Sequence, residues 1–513
     1  MTDGAMASTS THPADNWKKI LAVGTTALTW LATTYVFWVG YTGSDDMFYS
    51  RYAFLFHRPP INWWEFRMPA VLAIRASFHL FGVSEVTAAL PTLAGSLAIL
   101  ASVAWFVGWP ARLNWQTQAS VILAATLPLD VGLRSTPGAP FLAASFLAVG
   151  TVCFLKGNRW GQLLGGACLA LGFATHELSI FYISIFCCVT LVFDRRKFQW
   201  PVVACVLLLA SVFLVECAVY ATLLGEPLAR FKTAAAESTR FDADAHLSGM
   251  DFFAWPLHVF VIGKPFGFDI LLLLLTTISA WKAFSTEQRI MLAAMLATGI
   301  WLGYGTRVPW AYKPLRLYHY YAPLELGIAC LLPATLGFVF RNRKAWAYRV
   351  AGGVVAAHLV CCAAGGKWGA DAQVSSELLR YAYGHPGQVY LTDVATMNEM
   401  YVAGGFRLPA NIVCRNGSAL ERHLLLNKEP PSTPRTHFPE GPIDGILVNL
   451  SRTNLEADPG FNDYVREHPG RHMQIVPLRY KPLFIPLLPV LGPREFAIRS
   501  QGAELVMPYA GRF

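Results

Sequence analysis

The chain is poor in charge. Asp, Glu, Lys and Arg make up only 14 % of its 513 residues while 54 % are hydrophobic, against roughly a quarter charged in soluble domains. That balance, with a mean hydropathy of +0.40, excludes a soluble globular protein and a disordered one and leaves an integral membrane protein. Cysteine is nearly absent from polar segments. Nine of the ten fall in apolar runs, where a thiol behaves as a small hydrophobe, and only Cys414 lies in a soluble stretch, so no disulfide framework is expected. Residues 1–16 are polar and rich in Ser, Thr and Ala, without the pattern of a cleaved signal peptide. No internal repeat of the kind common in transporters stands out, nor any low-complexity tract. The net charge of +9 (41 basic against 32 acidic residues) is gathered in short segments between apolar runs. It therefore reads as membrane topology, with no nucleic-acid partner implied.

What the chain does have is long apolar runs. Lys18 and Lys19 precede one at 20–40, read as a retained signal anchor. A bilayer core of ~30 Å needs about 20 apolar residues. On that ruler further spans fall at 86–108, 118–134, 138–156, 160–175, 177–193, 201–224, 268–284, 289–305, 320–340 and 348–365. The expected architecture is a polytopic α-helical membrane protein with about 11 transmembrane helices. An odd number puts the two termini on opposite sides. Arg112, Lys156 with Arg159, Arg195-Arg196-Lys197, Lys282 with Arg289, and Arg341 to Lys344 mark the cytoplasmic loops, whereas the turns at Arg134 and His176-Glu177 are nearly free of Lys and Arg. The organisation expected is a cytoplasmic tail at 1–17, a membrane domain at 18–365 with external loops at 41–85, 225–267 and 305–320, and a small external α/β domain at 366–513. The last rests on β-like runs at 388–391, 445–450, 473–478 and 495–499 and an amphipathic helix at 374–383.

The chemistry-bearing residues cluster in the predicted external segments. The first loop carries Asp45-Asp46 with Tyr49 three residues on, then His57-Arg58-Pro59-Pro60, then Trp63-Trp64, and closes on Phe81-Gly82-Val83-Ser84-Glu85. Adjacent carboxylates raise each other's proton affinity, which suits a general base held at a membrane surface. The competing reading is that they cap a following helix. His176-Glu177 forms a turn in a region otherwise without charge. Glu216 lies inside a span, where an acid opposes insertion by ~2.5–3.5 kcal/mol, so it is a functional candidate or a buried hydrogen-bond partner. Glu325 lies nearer an end of its span. Arg307, Lys313 and Arg316 lie in a basic aromatic loop; such cations bind phosphate, and equally suit lipid headgroups. Asp242-Ala243-Asp244-Ala245-His246 has the look of a metal or nucleotide-sugar signature but reads as a solvated loop.

Together these motifs resemble the polytopic C-type (GT-C) membrane glycosyltransferases, specifically the protein O-mannosyltransferases and the lipid A aminoarabinose transferases. Their first external loop has an acidic pair with a tyrosine three residues on, matched by Asp45, Asp46 and Tyr49. The Pro-Pro is matched by Pro59-Pro60, and the Phe-Gly-x-Ser-Glu exit by Phe81 to Glu85. Ahead of a later proline the family has a basic residue and an aromatic, which Arg316 to Pro323 resembles. The resemblance implies a GT-C-like fold and inverting transfer of a sugar from a polyprenyl-phosphate donor to an acceptor hydroxyl on a lipid, glycan or protein. The site would face the outside of the inner membrane, where nucleotide sugars are absent. Asp45 and Asp46 would be catalytic, and Arg307, Lys313 and Arg316 would hold the donor phosphate. Tyr49, His57, Asp130, His176, Glu177 and Tyr320 are further cavity candidates. Asp130 enters as a substitute, because the turn from Arg134 to Pro140 lacks the acid the family often has there. No cofactor is firmly implied, and a divalent cation stays open. Two rivals remain at this stage, a transporter or flippase of lipid-linked saccharides and a non-catalytic scaffold.

Overall fold

The computed structural model describes residues 13–42, 45–56, 59–60, 63–240, 267–304, 322–364, 370–392, 394–414, 444–447, 473–477 and 504–508. Helix α1 (Pro13–Val36) leads through a short connection to α2 (Asp45–Leu55), and α3 (Met68–Phe81) follows. The predicted external segment 41–85 thus contains two helices, one of them apolar, because Met68–Phe81 is too hydrophobic to stay in water and packs on α2 and α4. Ser84 starts α4 (Glu85–Val107) with a reciprocal cap: its hydroxyl accepts from the Thr87 amide, and the Thr87 hydroxyl accepts from the Ser84 amide. Gly108, in the left-handed region at φ +80°, ends it.

The expected span at 118–134 is two helices, α5 (Trp115–Thr126) and α6 (Pro128–Leu133). Pro128 has no amide hydrogen to continue α5, and it drives Leu127 out of the helical region to ψ 126°. Helices α7 (Ala139–Lys156) and α8 (Arg159–Thr175) follow, joined through Asn158, whose side chain caps α8 by accepting from the Gly161 amide. The runs at 177–193 and 201–224 meet in α9 (Ser179–Leu224), where Asp194 at φ −154°, ψ 77° marks a kink between two helical stretches. Next come α10 (Ala229–Arg240), α11 (Gly267–Ala280), α12 (Thr286–Tyr304), α13 (Ala322–Val339) and α14 (Lys344–Ala364).

Among the described residues, four helices are long and apolar enough to cross a membrane: Glu85–Val107, Ala139–Lys156, Ser179–Leu224 and Lys344–Cys362. Along α9, Val206, Leu207, Leu214, Val215 and Leu223 stand exposed, a row that belongs against lipid. In lipid the helices gain little from leaving apolar surroundings, so close packing carries their association. The α7–α8 contact shows this: a Cβ on Gly165 would stand 2.8 Å from the Gly150 carbonyl oxygen, and one on Gly150 2.9 Å from that of Gly165.

The C-terminal residues build α15 (Ala370–Gly384), β1 (Tyr390–Thr392), α16 (Val394–Ala403), β2 (Ile412–Cys414), β3 (Gly445–Leu447), β4 (Met473–Pro477) and β5 (Glu504–Pro508). The sheet order is β2-β1-β3-β5-β4, parallel across β2-β1-β3 and antiparallel from β3 through β5 to β4. Val374, Leu378, Met397, Met400, Tyr390 and Leu447 form its core. The expected helix at 374–383 lies within α15, and the runs at 388–391, 445–450 and 473–478 overlap β1, β3 and β4. Residues 495–499 lie outside the described residues, and β2 and β5 were not foreseen.

Candidate active site

Helix α2 starts on Asp45-Asp46, where carboxylates meet the positive end of a helix dipole. The two acids then part ways. Asp46 is buried and turns back on the connection from α1, its Oδ2 accepting from the Thr42 amide at 2.6 Å and its Oδ1 from the Thr42 hydroxyl at 2.7 Å. Asp46 thus ties the connection from α1 to the first turn of α2. Asp45 is half-buried at the first position of the helix, and its charge acts on Tyr49 one turn further on.

Tyr49 is fully buried and its phenol oxygen accepts from Arg67 Nη1. Arg67, just ahead of α3, is itself fully buried and organises the centre of the site. Its Nη2 donates to Glu177 Oε1 at 2.8 Å, its Nε reaches Oε2 at 3.4 Å, and its guanidinium lies 4.2 Å from the centre of the Trp63 ring. Glu177, in the turn between α8 and α9, also receives Arg230 Nη2 at 3.2 Å. Arg230 Nη1 in turn donates to both oxygens of Glu216, at 2.8 and 3.1 Å, and Nη2 to the Phe173 carbonyl at 3.0 Å. The result is a continuous line of hydrogen bonds, Tyr49, Arg67, Glu177, Arg230, Glu216, drawn from α2, the start of α3, the α8–α9 turn, α10 and α9, with Asp45 one turn ahead of Tyr49. Glu216, costly alone in a span, is the hydrogen-bonded partner of an arginine. Burial by itself would raise the Glu177 carboxyl, but Arg67, His176 and Arg230 outweigh it and hold it well below the usual carboxylate range. Burial pushes the Tyr49 phenol up, so it stays neutral.

His176 caps the end of α8, its Nδ1 accepting from the Leu178 amide at 3.3 Å. It faces a small, partly open cleft lined by Ala143, Leu147, Ser179, Tyr182 and Thr298 among others, between α7, α9 and α12. Among the described residues the buried Thr298 hydroxyl has no hydrogen-bond partner.

Asp130 belongs elsewhere. Its Oδ1 accepts from the Ser96 hydroxyl at 2.7 Å and pairs with Arg134 Nε at 2.9 Å, while Trp30 Nε1 donates to Ser96 at 2.9 Å. Glu325 caps α6 beside it, its two oxygens accepting from the Leu129 and Asp130 amides at 3.0 Å each. Nearby, His358 Nε2 meets Asp269 Oδ2 at 2.7 Å. The described contacts of Asp130 tie α1, α4, α6 and α13 together and do not reach the line through Glu177. His57, Arg307, Lys313, Arg316 and Tyr320, like Asp242, Asp244 and His246, lie outside the described residues.

Sequence reasoning missed Arg67 and Arg230 as site residues. Their sequence distances from Glu177 are 110 and 53 positions, and neither sits in a motif. The one available signal was Glu177 itself, an acid at a buried turn that needs a cation. Among the described residues no three His, Cys, Asp or Glu side chains converge as a metal-ligand set. Both oxygens of Asp46 and of Glu177 accept hydrogen bonds from their neighbours.

No protein-family model and no curated protein matches the sequence. Among solved structures the chain superposes on ArnT from Cupriavidus metallidurans in the apo state, with TM-score 0.53 and 11 % identity over 97 % of this chain and 98 % of that one. The chain has the C-type glycosyltransferase fold. The same ArnT bound to undecaprenyl phosphate matches with TM-score 0.52 and 12 % identity over 90 % of this chain and 96 % of that one. An oligosaccharyltransferase from Archaeoglobus fulgidus in complex with Zn and sulfate matches with TM-score 0.48 and 12 % identity over 82 % and 67 % of the two chains. With this fold and its apolar helices the chain is a multi-pass membrane protein.

Proposed function

We propose that the chain is an inverting glycosyltransferase that moves a hexosyl or pentosyl group from a polyprenyl phosphate to an acceptor hydroxyl on the outer face of the inner membrane. Fold alone does not carry function. The observation that carries the reading is the placement of Asp45 on a short helix whose Tyr49 is locked through Arg67 to Glu177, whose neighbours His176 and Leu178 line a cleft between α7, α9 and α12. That arrangement sits on the fold of a protein whose solved structure holds undecaprenyl phosphate. Asp45 takes the proton of the acceptor hydroxyl as its oxygen attacks the anomeric carbon. The bond from that carbon to the phosphate oxygen breaks in the same displacement, and the polyprenyl phosphate leaves with the electron pair. Arg307, Lys313 and Arg316, which precede α13 in the sequence, are the cations for that leaving charge. Arg67 and Arg230 are not, since their guanidiniums are spent on Glu177, Glu216 and Tyr49. The acceptor is a lipid, a glycan or a protein, and a divalent cation is kept as an optional addition to the assay.

The test is transfer of labelled sugar from polyprenyl-phosphate donors in membranes holding wild type or Asp45→Asn. A general base is worth roughly 10²–10⁴-fold, so Asp45→Asn at equal protein level should fall by at least about 100-fold. Full activity in Asp45→Asn would remove Asp45 from the chemistry. No transfer by wild type across several donors would shift the reading to a transporter of lipid-linked saccharides.

A further inference from the structure

The helix that carries Asp45 has little to hold it in place by itself. It is 11 residues long, below the ~12–15 at which an isolated helix becomes even marginal in water. Its position is therefore set by what packs on it. Phe48 stacks on Trp64 at 4.4 Å on the side of the loop, and Arg75 of α3 donates to the Ala53 carbonyl at 3.1 Å. The third support comes from the C-terminal domain. Phe406 lays its ring on Phe54 of α2, with centroids 4.4 Å apart and planes 8–9° from parallel as in the Phe48–Trp64 pair. It also meets Phe78 of α3 edge-on at 6.2 Å and Tyr401 of α16 at 5.5 Å.

Two features mark Phe406 as built for this contact. Its φ of +64° lies in the left-handed region that side chains other than glycine seldom adopt. The turn that enforces it follows α16 directly: Gly405, itself at φ +65°, donates to the Val402 carbonyl at 3.1 Å and Phe406 to that of Tyr401 at 2.8 Å. Second, Phe406 packs with Tyr49, Tyr52 and Phe78 in the cluster around α2 and α3, whereas the domain's own core is made by Leu378, Met400 and their neighbours. The ring thus packs on α2 and α3 as well as on Tyr401 of α16, and lies outside the core cluster of the fold that presents it.

We propose that Phe406 is a positioning residue for sugar transfer: from the C-terminal domain it clamps α2 against α3, and so fixes Asp45 and Tyr49 relative to the Arg67–Glu177 pair. The catalytic half rests on the transferase reading; the mechanical half does not. Both are tested on the full-length protein in membranes or nanodiscs, comparing wild type, Phe406→Ala and Phe406→Tyr. In Phe406→Ala, amide hydrogen exchange across residues 45–55 should quicken at least tenfold while α7 and α8 keep wild-type rates, and transfer kcat should fall at least tenfold with donor KM within twofold. Phe406→Tyr, which keeps the stacked ring, should restore both to within about twofold. Unchanged exchange in α2 overturns the clamp, and so does faster exchange spread equally over α7 and α8, which is global destabilisation. Faster exchange in α2 with wild-type kcat overturns the link to catalysis. Absence of transfer in wild type overturns the transferase reading with its catalytic consequence, and the exchange rates then still decide whether Phe406 holds α2.

Discussion

Glu177 sits between two buried arginines, and its neutralisation would leave both cations without their shared counter-charge. Removing one partner of a buried pair costs about 3–5 kcal/mol. Glu177→Gln should therefore lower the melting temperature of the purified protein well beyond a surface substitution, with loss of transfer following loss of folded protein. The pH dependence has a definite sign. The folded carboxyl is held below its unfolded value of about 4.3, so its contribution is fully present above that value and fades as pH falls towards the depressed one. The melting-temperature gap between wild type and Glu177→Gln should be constant from neutrality down to about pH 5 and close below about pH 4.3. Arg67→Lys is a further check: a single ammonium cannot repeat the fork that meets Glu177 and Tyr49 at once. Its loss should resemble Glu177→Gln more than wild type in the same melt.

At the scale of elements, the α7–α8 contact is decided by hydrogen atoms. A methyl on Gly165 would stand 2.8 Å from both the Gly150 carbonyl oxygen and the Phe154 amide nitrogen, backbone atoms with little room to give. Gly165→Ala should cost about 1–3 kcal/mol, as overpacking does elsewhere, read as a lower melting temperature and poorer yield of monodisperse protein. Gly353→Ala in α14, where nothing lies within 4 Å of the added carbon, is the control and should leave the melt unchanged or slightly raised, since alanine is the better helix former. Breaks between elements were partly legible. Pro128 lies in the apolar run and was passed over because hydropathy measures transfer to lipid and is blind to a missing amide hydrogen. Arg195-Arg196-Lys197, between two spans, marked by their charge the junction where Asp194 kinks the helix.

For the whole molecule, ion pairs lie at both ends of the bundle. Lys156 at the end of α7 lies 4.8 Å from the Phe106 ring at the end of α4, and Lys197 pairs with Glu287 at 2.7 Å. Asp45 and the Glu177 turn belong with the opposite ends of those helices. If basic loops stay in the cytoplasm, a reporter enzyme active only outside should work when fused after residue 414 and fail when inserted at Arg112. The reverse pattern would turn the whole arrangement over and place Asp45 inside.

The sequence by itself determined that this chain lives in a membrane, where its apolar helices lie, and that Asp45, Asp46, Tyr49 and Glu177 stand out chemically. Those properties depend on each residue's neighbours along the chain and on the contrast between lipid and water, both of which a linear pattern records. Only the tertiary structure decided that Asp46 turns back on Thr42, that Asp130 serves a separate network with Arg134, that Arg67 and Arg230 neutralise Glu177, and that Phe406 reaches α2. A buried charge or ring finds its partner by proximity in space, and proximity between residues tens or hundreds of positions apart is fixed by helix packing.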